Sequence, residues 1–235
     1  MTGEFWMVAG LGNPGDRYRE TRHNIGFKVV ESLAASLGLS FGEEGGLYRA
    51  AAGRYEGRDL ILLEPLTYMN LSGRALEAWS RIHGRPLADF GPGEPGAGSP
   101  ADGTEDPVPG GWDPRGRLLV VCDDLNLPLG ACRLRGRGGS GGQNGLASIL
   151  EVLGHEEVAR LRLGIAIPGE GVPPAEWADF VLEPFTPEEA PAVAEMVAHG
   201  AAAVECWLAR GLEEAAGRFN RRAGPAPEAP EAPEG

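Results

Sequence analysis

Two unbroken apolar strings constrain the fold of this chain more than any other feature. Phe5-Trp6-Met7-Val8-Ala9 and Leu118-Leu119-Val120-Val121-Cys122 show no polar alternation. A strand covered on one face alternates apolar and polar residues, so a strand without alternation needs cover on both faces. The rest of the chain offers that cover. From Ile25 onward, Phe27, Val30, Leu33, Ala34 and Leu37 recur at helical spacing, and Gly38 ends the run. Further helical patterns carry Leu76, Trp79 and Ile82, then Leu146, Ile149, Leu150 and Leu153. Thr186-Pro187-Glu188-Glu189 has the capping residue, first-turn proline and following glutamate of a helix start, and opens a long helix to about Trp207, with a shorter one from Gly211.

Tyr48 to Tyr55 and Asp59 to Leu63 read as a hairpin turning at Glu56-Gly57-Arg58. A turn at Leu125 to Gly130 leads to a short strand at Ala131 to Arg135, and Arg160 to Ile167 is another strand. Strands and helices alternate with one hairpin among them, which predicts an α/β fold with a mixed sheet between helices.

The chain has 235 residues, and a core domain of roughly 190 to 200 residues would leave extras over. Two segments are those extras. Positions 90–116 are mostly Gly, Pro, Ala, Ser and acids, too poor in apolar surface to offset the entropy of ordering, and read as a loosely held insertion. Positions 223–235 are a Pro/Ala/Glu tail that reads as disordered, leaving 1–222 as a single domain. The formal charge of −13 argues against a general nucleic-acid binder. The charge is segregated, however: acids crowd the insertion and tail, while arginines gather at 17, 19 and 22 and at 133, 135, 137, 160 and 162. Lys28 is the only lysine, so phosphate contacts would fall to guanidinium groups and a local basic groove stays open. Three cysteines without metal-type spacing suggest reduced thiols. Without a signal-like start or a run near the ~20 apolar residues of a membrane span, a cytoplasmic protein is expected.

Reactive loops of such sheets collect at the carboxyl ends of strands, here after Ala9, Leu63 and Cys122 and at the glycine-rich loop. Gly10, Gly12 and Gly15 match the spacing of a dinucleotide fingerprint, but Pro14 interrupts the loop and no helix opens inside it. The second run, Gly136 to Gly145, lacks the Lys and Ser/Thr of a phosphate-binding P-loop; Asn144 there is either a helix cap or a ligand contact. His23 and Asp123 each have a bland local reading. Together they offer a His–carboxylate pair able to activate water. No serine or cysteine stands in a convincing nucleophile motif.

Six segments in this order closely resemble bacterial-type peptidyl-tRNA hydrolases: Gly10-Leu11-Gly12-Asn13-Pro14-Gly15 with Tyr18; Thr21-Arg22-His23-Asn24; Pro65 to Gly73; Asp123-Asp124-Leu125; Gly141 to Leu146; and Arg160 to Ile165. The resemblance implies a monomeric α/β hydrolase with a twisted mixed sheet, acting without metal or cofactor. Its substrate would be peptidyl-tRNA, cleaved at the ester to the tRNA 3′ end. Carried over by motif, His23 would activate water, Asp123 would support it, and Asn13 would distinguish a blocked from a free amino group. Tyr18, Tyr68, Asn70 and Asn144 would contact substrate or water and Met69 would line the site. Arg135 and Arg162, with Arg137, could meet tRNA phosphates. The chain departs from the family's pattern in the insertion, the tail and Asn126, which stands where an aspartate is usual. The insertion is expected to project away from the tRNA groove. The alternative is a non-catalytic RNA-binding relative, which a hydrolysis assay separates.

Overall fold

A computed structural model describes residues 5–90, 117–167 and 172–220. The predicted insertion, apart from Phe90, and the tail lie outside the described residues, as does the expected direction of the insertion. Seven strands form one mixed sheet in the order β2-β3-β4-β1-β5-β7-β6. They span Phe5–Gly10 (β1), Gly42–Glu44 (β2), Tyr48–Tyr55 (β3), Arg58–Pro65 (β4), Leu118–Pro128 (β5), Cys132–Arg135 (β6) and Ala159–Ala166 (β7). The four central strands run parallel: β1 pairs with β4 and β5, and β5 pairs with β7. The outer strands are antiparallel.

The apolar strings sit where their patterning requires. Trp6 and Val8 point into a core shared with α1 (Ile25–Ser36) and α5 (Ala190–Arg210), while Phe5, Met7 and Ala9 point into a second core shared with α2 (Ser72–His83) and α3 (Asn144–Leu153). The short α4 (Trp177–Phe180) and α6 (Leu212–Phe219) complete the helices among the described residues. By length and composition α5 could cross a membrane, but half of its apolar window is buried within the protein, as in a core helix. The capping residues ahead of it bond reciprocally, Thr186 N to Glu189 Oε2 at 2.8 Å and Glu189 N to Thr186 Oγ1 at 3.3 Å.

Two elements differ from the sequence reading. The segment Leu125 to Pro128 is not a turn but the continuation of β5, so Asp123 lies within a strand rather than at its end. Pairing with β7 shifts between Asp124 and Pro128, and Gly164 makes room for that shift, since a Cβ there would lie 2.1 Å from the Pro128 carbonyl oxygen. The edge strand β2 was not expected from a Gly-Glu-Glu string.

The glycine loop after β1 acts in packing. A Cβ on Gly26 of α1 would sit 2.4 Å from the Val121 carbonyl oxygen, and one on Gly10 would sit 2.5 Å from that of Gly26. Alanine normally favours a helix interior by ~1 kcal/mol over glycine. Here the clash is with backbone, so Gly26→Ala should lower stability by about 2 kcal/mol or more in urea unfolding. A stabilised variant would refute this packing role.

Candidate active site

Three loops, those after β1, after β4 and ahead of α3, meet beside Asp123 of β5. After β1, the Asn13 peptide is clamped by Asn24: Asn13 N donates to Asn24 Oδ1 at 2.9 Å, and Asn24 Nδ2 donates to Asn13 O at 3.0 Å. The Asn13 side chain reaches the next loop, where its Oδ1 accepts from Met69 N at 2.8 Å. Its Nδ2 then has no protein partner among the described residues.

His23 lies in a 3-10 turn, Arg22–Asn24, just ahead of α1. Its backbone N donates to Val181 O at 2.9 Å. Neighbouring Arg22, read from the sequence as part of a basic cluster, is instead buried. Its guanidinium pairs with both Glu189 oxygens, at 2.9 and 2.7 Å, and lies over the Phe180 and Phe185 rings. The turn bearing His23 is thus tied to the segment ahead of α5.

The imidazole Nδ1 lies 2.9 Å from Asp123 Oδ1, and both side chains are buried. An ionised carboxylate only accepts, so Nδ1 carries the proton and the Nε2 lone pair is left without a protein partner among the described residues. Burial disfavours the imidazolium, but the charge and hydrogen bond of Asp123 outweigh it, so the His23 pKa is raised above the ordinary 6.5.

His23 and Asp123 line a cleft of about 230 Å³. Its polar side includes Asp124, Asn126, Asn144 and Arg162, and its apolar side is Pro174, Trp177, Ala178 and Val181. Trp177 is anchored by Nε1 donating to Val172 O at 2.8 Å. Arg162 Nε is 3.1 Å from Asp124 Oδ2, while Asp124 Oδ1 accepts from the backbone N of Asn126 at 2.8 Å. Asn126 therefore supports a carboxylate without adding a second one. Among the described residues, no three His, Cys, Asp or Glu side chains are grouped to hold a metal ion.

Of the residues singled out from sequence, His23, Asp123, Asn144 and Arg162 share this cleft. Asn13 and Met69 join it through hydrogen bonds. Tyr68 and Asn70 are exposed beside Met69. Tyr18 is half-buried, with the Arg17 guanidinium 4.5 Å above its ring, and Arg135 is exposed at the end of β6; neither lines the cleft. Asn144 is the first residue of α3 and not its cap: Gln143 caps, its Oε1 accepting from Leu146 N at 2.6 Å. Gln143 Nε2 also donates to Asp123 Oδ1 at 3.0 Å, a contact that sequence reading missed. The signal available was its place immediately ahead of a helix pattern. Trp177 was missed as well, having no motif around it.

Comparison with known proteins fits this geometry. Residues 7–90 and 112–227 match the family model described as peptidyl-tRNA hydrolase. The chain is 41% identical over 217 residues to the peptidyl-tRNA hydrolase of Chlorobium luteolum, covering 92% of this chain and 98% of that one. It is also 41% identical to that of Chloroflexus aggregans over 220 residues, with the same coverage. Among solved structures, the peptidyl-tRNA hydrolase of Acinetobacter baumannii superposes with a TM-score of 0.73 at 27% identity, covering 93% of this chain and 95% of that one.

Proposed function

The chain belongs to the peptidyl-tRNA hydrolase family, and we propose that His23, held by Asp123, is the base through which it works. It is an enzyme that hydrolyses peptidyl-tRNA, and the reading of a non-catalytic relative is not favoured. The observation that carries the mechanism is the 2.9 Å bond from His23 Nδ1 to Asp123, which leaves a raised-pKa imidazole with Nε2 unclaimed among the described residues.

In this mechanism Nε2 takes a proton from a water in the cleft as the water oxygen attacks the ester carbonyl between the peptide and the tRNA 3′ end. Charge develops on the carbonyl oxygen, where neutral asparagine amides stabilise it without adding charge. The tetrahedral intermediate expels the ribose oxygen, which takes the proton from the imidazolium. Asp123 favours the cationic imidazole formed on the way. Asn13 Nδ2 supplies the selection. A blocked amino group brings a carbonyl that can accept from it, whereas a free ammonium has only donors to offer.

Tyr18, Tyr68, Asn70 and Asn144 contact the substrate in this reading. The exposed Arg135 and Arg137 meet tRNA phosphates. Arg162 contributes less because Asp124 already compensates it. The protein acts as a monomer in the cytoplasm, with the insertion at 90–116 interrupting the 1–222 domain and the tail following it.

The test is release of the blocked amino acid from N-acetyl-aminoacyl-tRNA by the purified protein. Unblocked aminoacyl-tRNA should be cleaved on the order of 100-fold more slowly. A KM that rises steeply with salt supports the arginine contacts, and a salt-independent KM counts against them. Absence of release would remove the catalytic reading.

A further inference from the structure

We propose that Gln143 is a positioning residue of this active site, holding the Asp123 carboxylate in line with His23 Nδ1. The inference rests on the reading of His23 as the base.

Gln143 is buried, and both ends of its amide are committed. Oε1 accepts from Leu146 N at 2.6 Å, capping α3. That bond decides which end of the amide faces the site, and so Nε2 donates to Asp123 Oδ1 at 3.0 Å, with Met69 Sδ at 3.3 Å beside it. The oxygen it engages is the one that accepts from His23 Nδ1. Two donors from different parts of the chain, one capping α3 and one ahead of α1, therefore fix a single carboxylate oxygen. Being neutral, Gln143 does this without titrating.

Without the amide donor, His23 would be the only side chain among the described residues bonded to Asp123, and the groups around the pair decide what competes with it. Arg162 lines the same cleft, paired with Asp124. Cys122 precedes Asp123 in the strand and is buried with its thiol pKa pushed up, hence neutral. Arg22, beside His23, is neutralised by Glu189. Glu176 and Asp179 are exposed near Trp177. The strongest pulls on a released carboxylate are thus cleft water and the Arg162 guanidinium, both of which draw it from the imidazole. The pKa of His23 should then relax toward its ordinary value.

The helix cap and the contact to Asp123 can be separated. Serine is a good cap residue, and its short side chain can still accept from Leu146 N but cannot reach Asp123. Gln143→Ser should therefore melt within a few degrees of the wild type. Its kcat should fall about 10-fold, with KM within about two-fold. The acid limb of its pH–rate profile should move down. In an Asp123→Ala background the same change should have almost no further effect, because no carboxylate is then left for Gln143 to hold.

A purely structural cap predicts an unchanged rate and pH profile in Gln143→Ser and additive effects in the double variant. Either result overturns the proposal. An acid limb that moves up would also overturn it, since Gln143 would then only be drawing charge from Asp123. NMR titration of the His23 ring in the folded, substrate-free protein gives a readout independent of turnover. A lowered His23 pKa in Gln143→Ser supports the positioning even if His23→Ala retains activity and the base reading fails. An unmoved pKa refutes it.

Discussion

Replacing His23 with alanine should lower kcat for N-acetyl-aminoacyl-tRNA by 10²- to 10⁴-fold, the usual contribution of a positioned general base. KM should stay within a few-fold of the wild type, because the base touches the water more than the bound substrate. Folding should survive. The backbone bond from His23 N to Val181 O does not involve the side chain, and the adjacent turn stays anchored by Arg22 to Glu189. Single-turnover release, with thermal melting as a control for folding, makes the comparison. A variant that melts normally and turns over at the wild-type rate would exclude His23 as the base.

Asp123→Asn should lower kcat by about 10- to 10³-fold, a large part of the contribution of the general base whose cationic form Asp123 stabilises. The side chain is replaced nearly in shape, and Gln143 Nε2 already donates to the Oδ1 position. The new amide therefore keeps its oxygen there, and His23 keeps its proton on Nδ1. What disappears is the negative charge that, against the cost of burial, raises the His23 pKa. The sign follows: the imidazolium becomes easier to deprotonate, so the acid limb of the residual activity moves to lower pH. An acid limb that stays in place would mean that Asp123 does not govern His23.

The central strands were legible because cover on both faces removes alternation and leaves unmistakable apolar strings. The continuation of β5 was not legible. Asn126, Pro128 and Gly130 have the composition of a turn, and only pairing with β7 beyond a register shift keeps Leu125–Pro128 extended. The edge strand β2 is equally a tertiary product, since Gly42–Glu44 has little strand propensity and forms against β3.

At the site, His23, Asp123 and Asn13 stood out by motif, and the structure sets Asp123 of β5 beside His23, with Asn13 in the loop after β1. Single residues do not announce their partners. Asn144 and Gln143 both stand where a helix begins, and only geometry assigns the cap and the bond to Asp123 to the glutamine. Arginines behave the same way. Arg22 and Arg160 are buried against a carboxylate and backbone carbonyls respectively, while Arg133, Arg135 and Arg137 are exposed. A charge count along the chain cannot separate those roles.

The most direct test of the proposed chemistry compares two midpoints on the wild-type protein. One is the acid limb of kcat/KM for N-acetyl-aminoacyl-tRNA, and the other is the His23 ring titration in the free protein. The expected result is a common midpoint above 6.5, with activity lost as pH falls through it and the base is protonated. A rate that stays level while His23 titrates would contradict the mechanism.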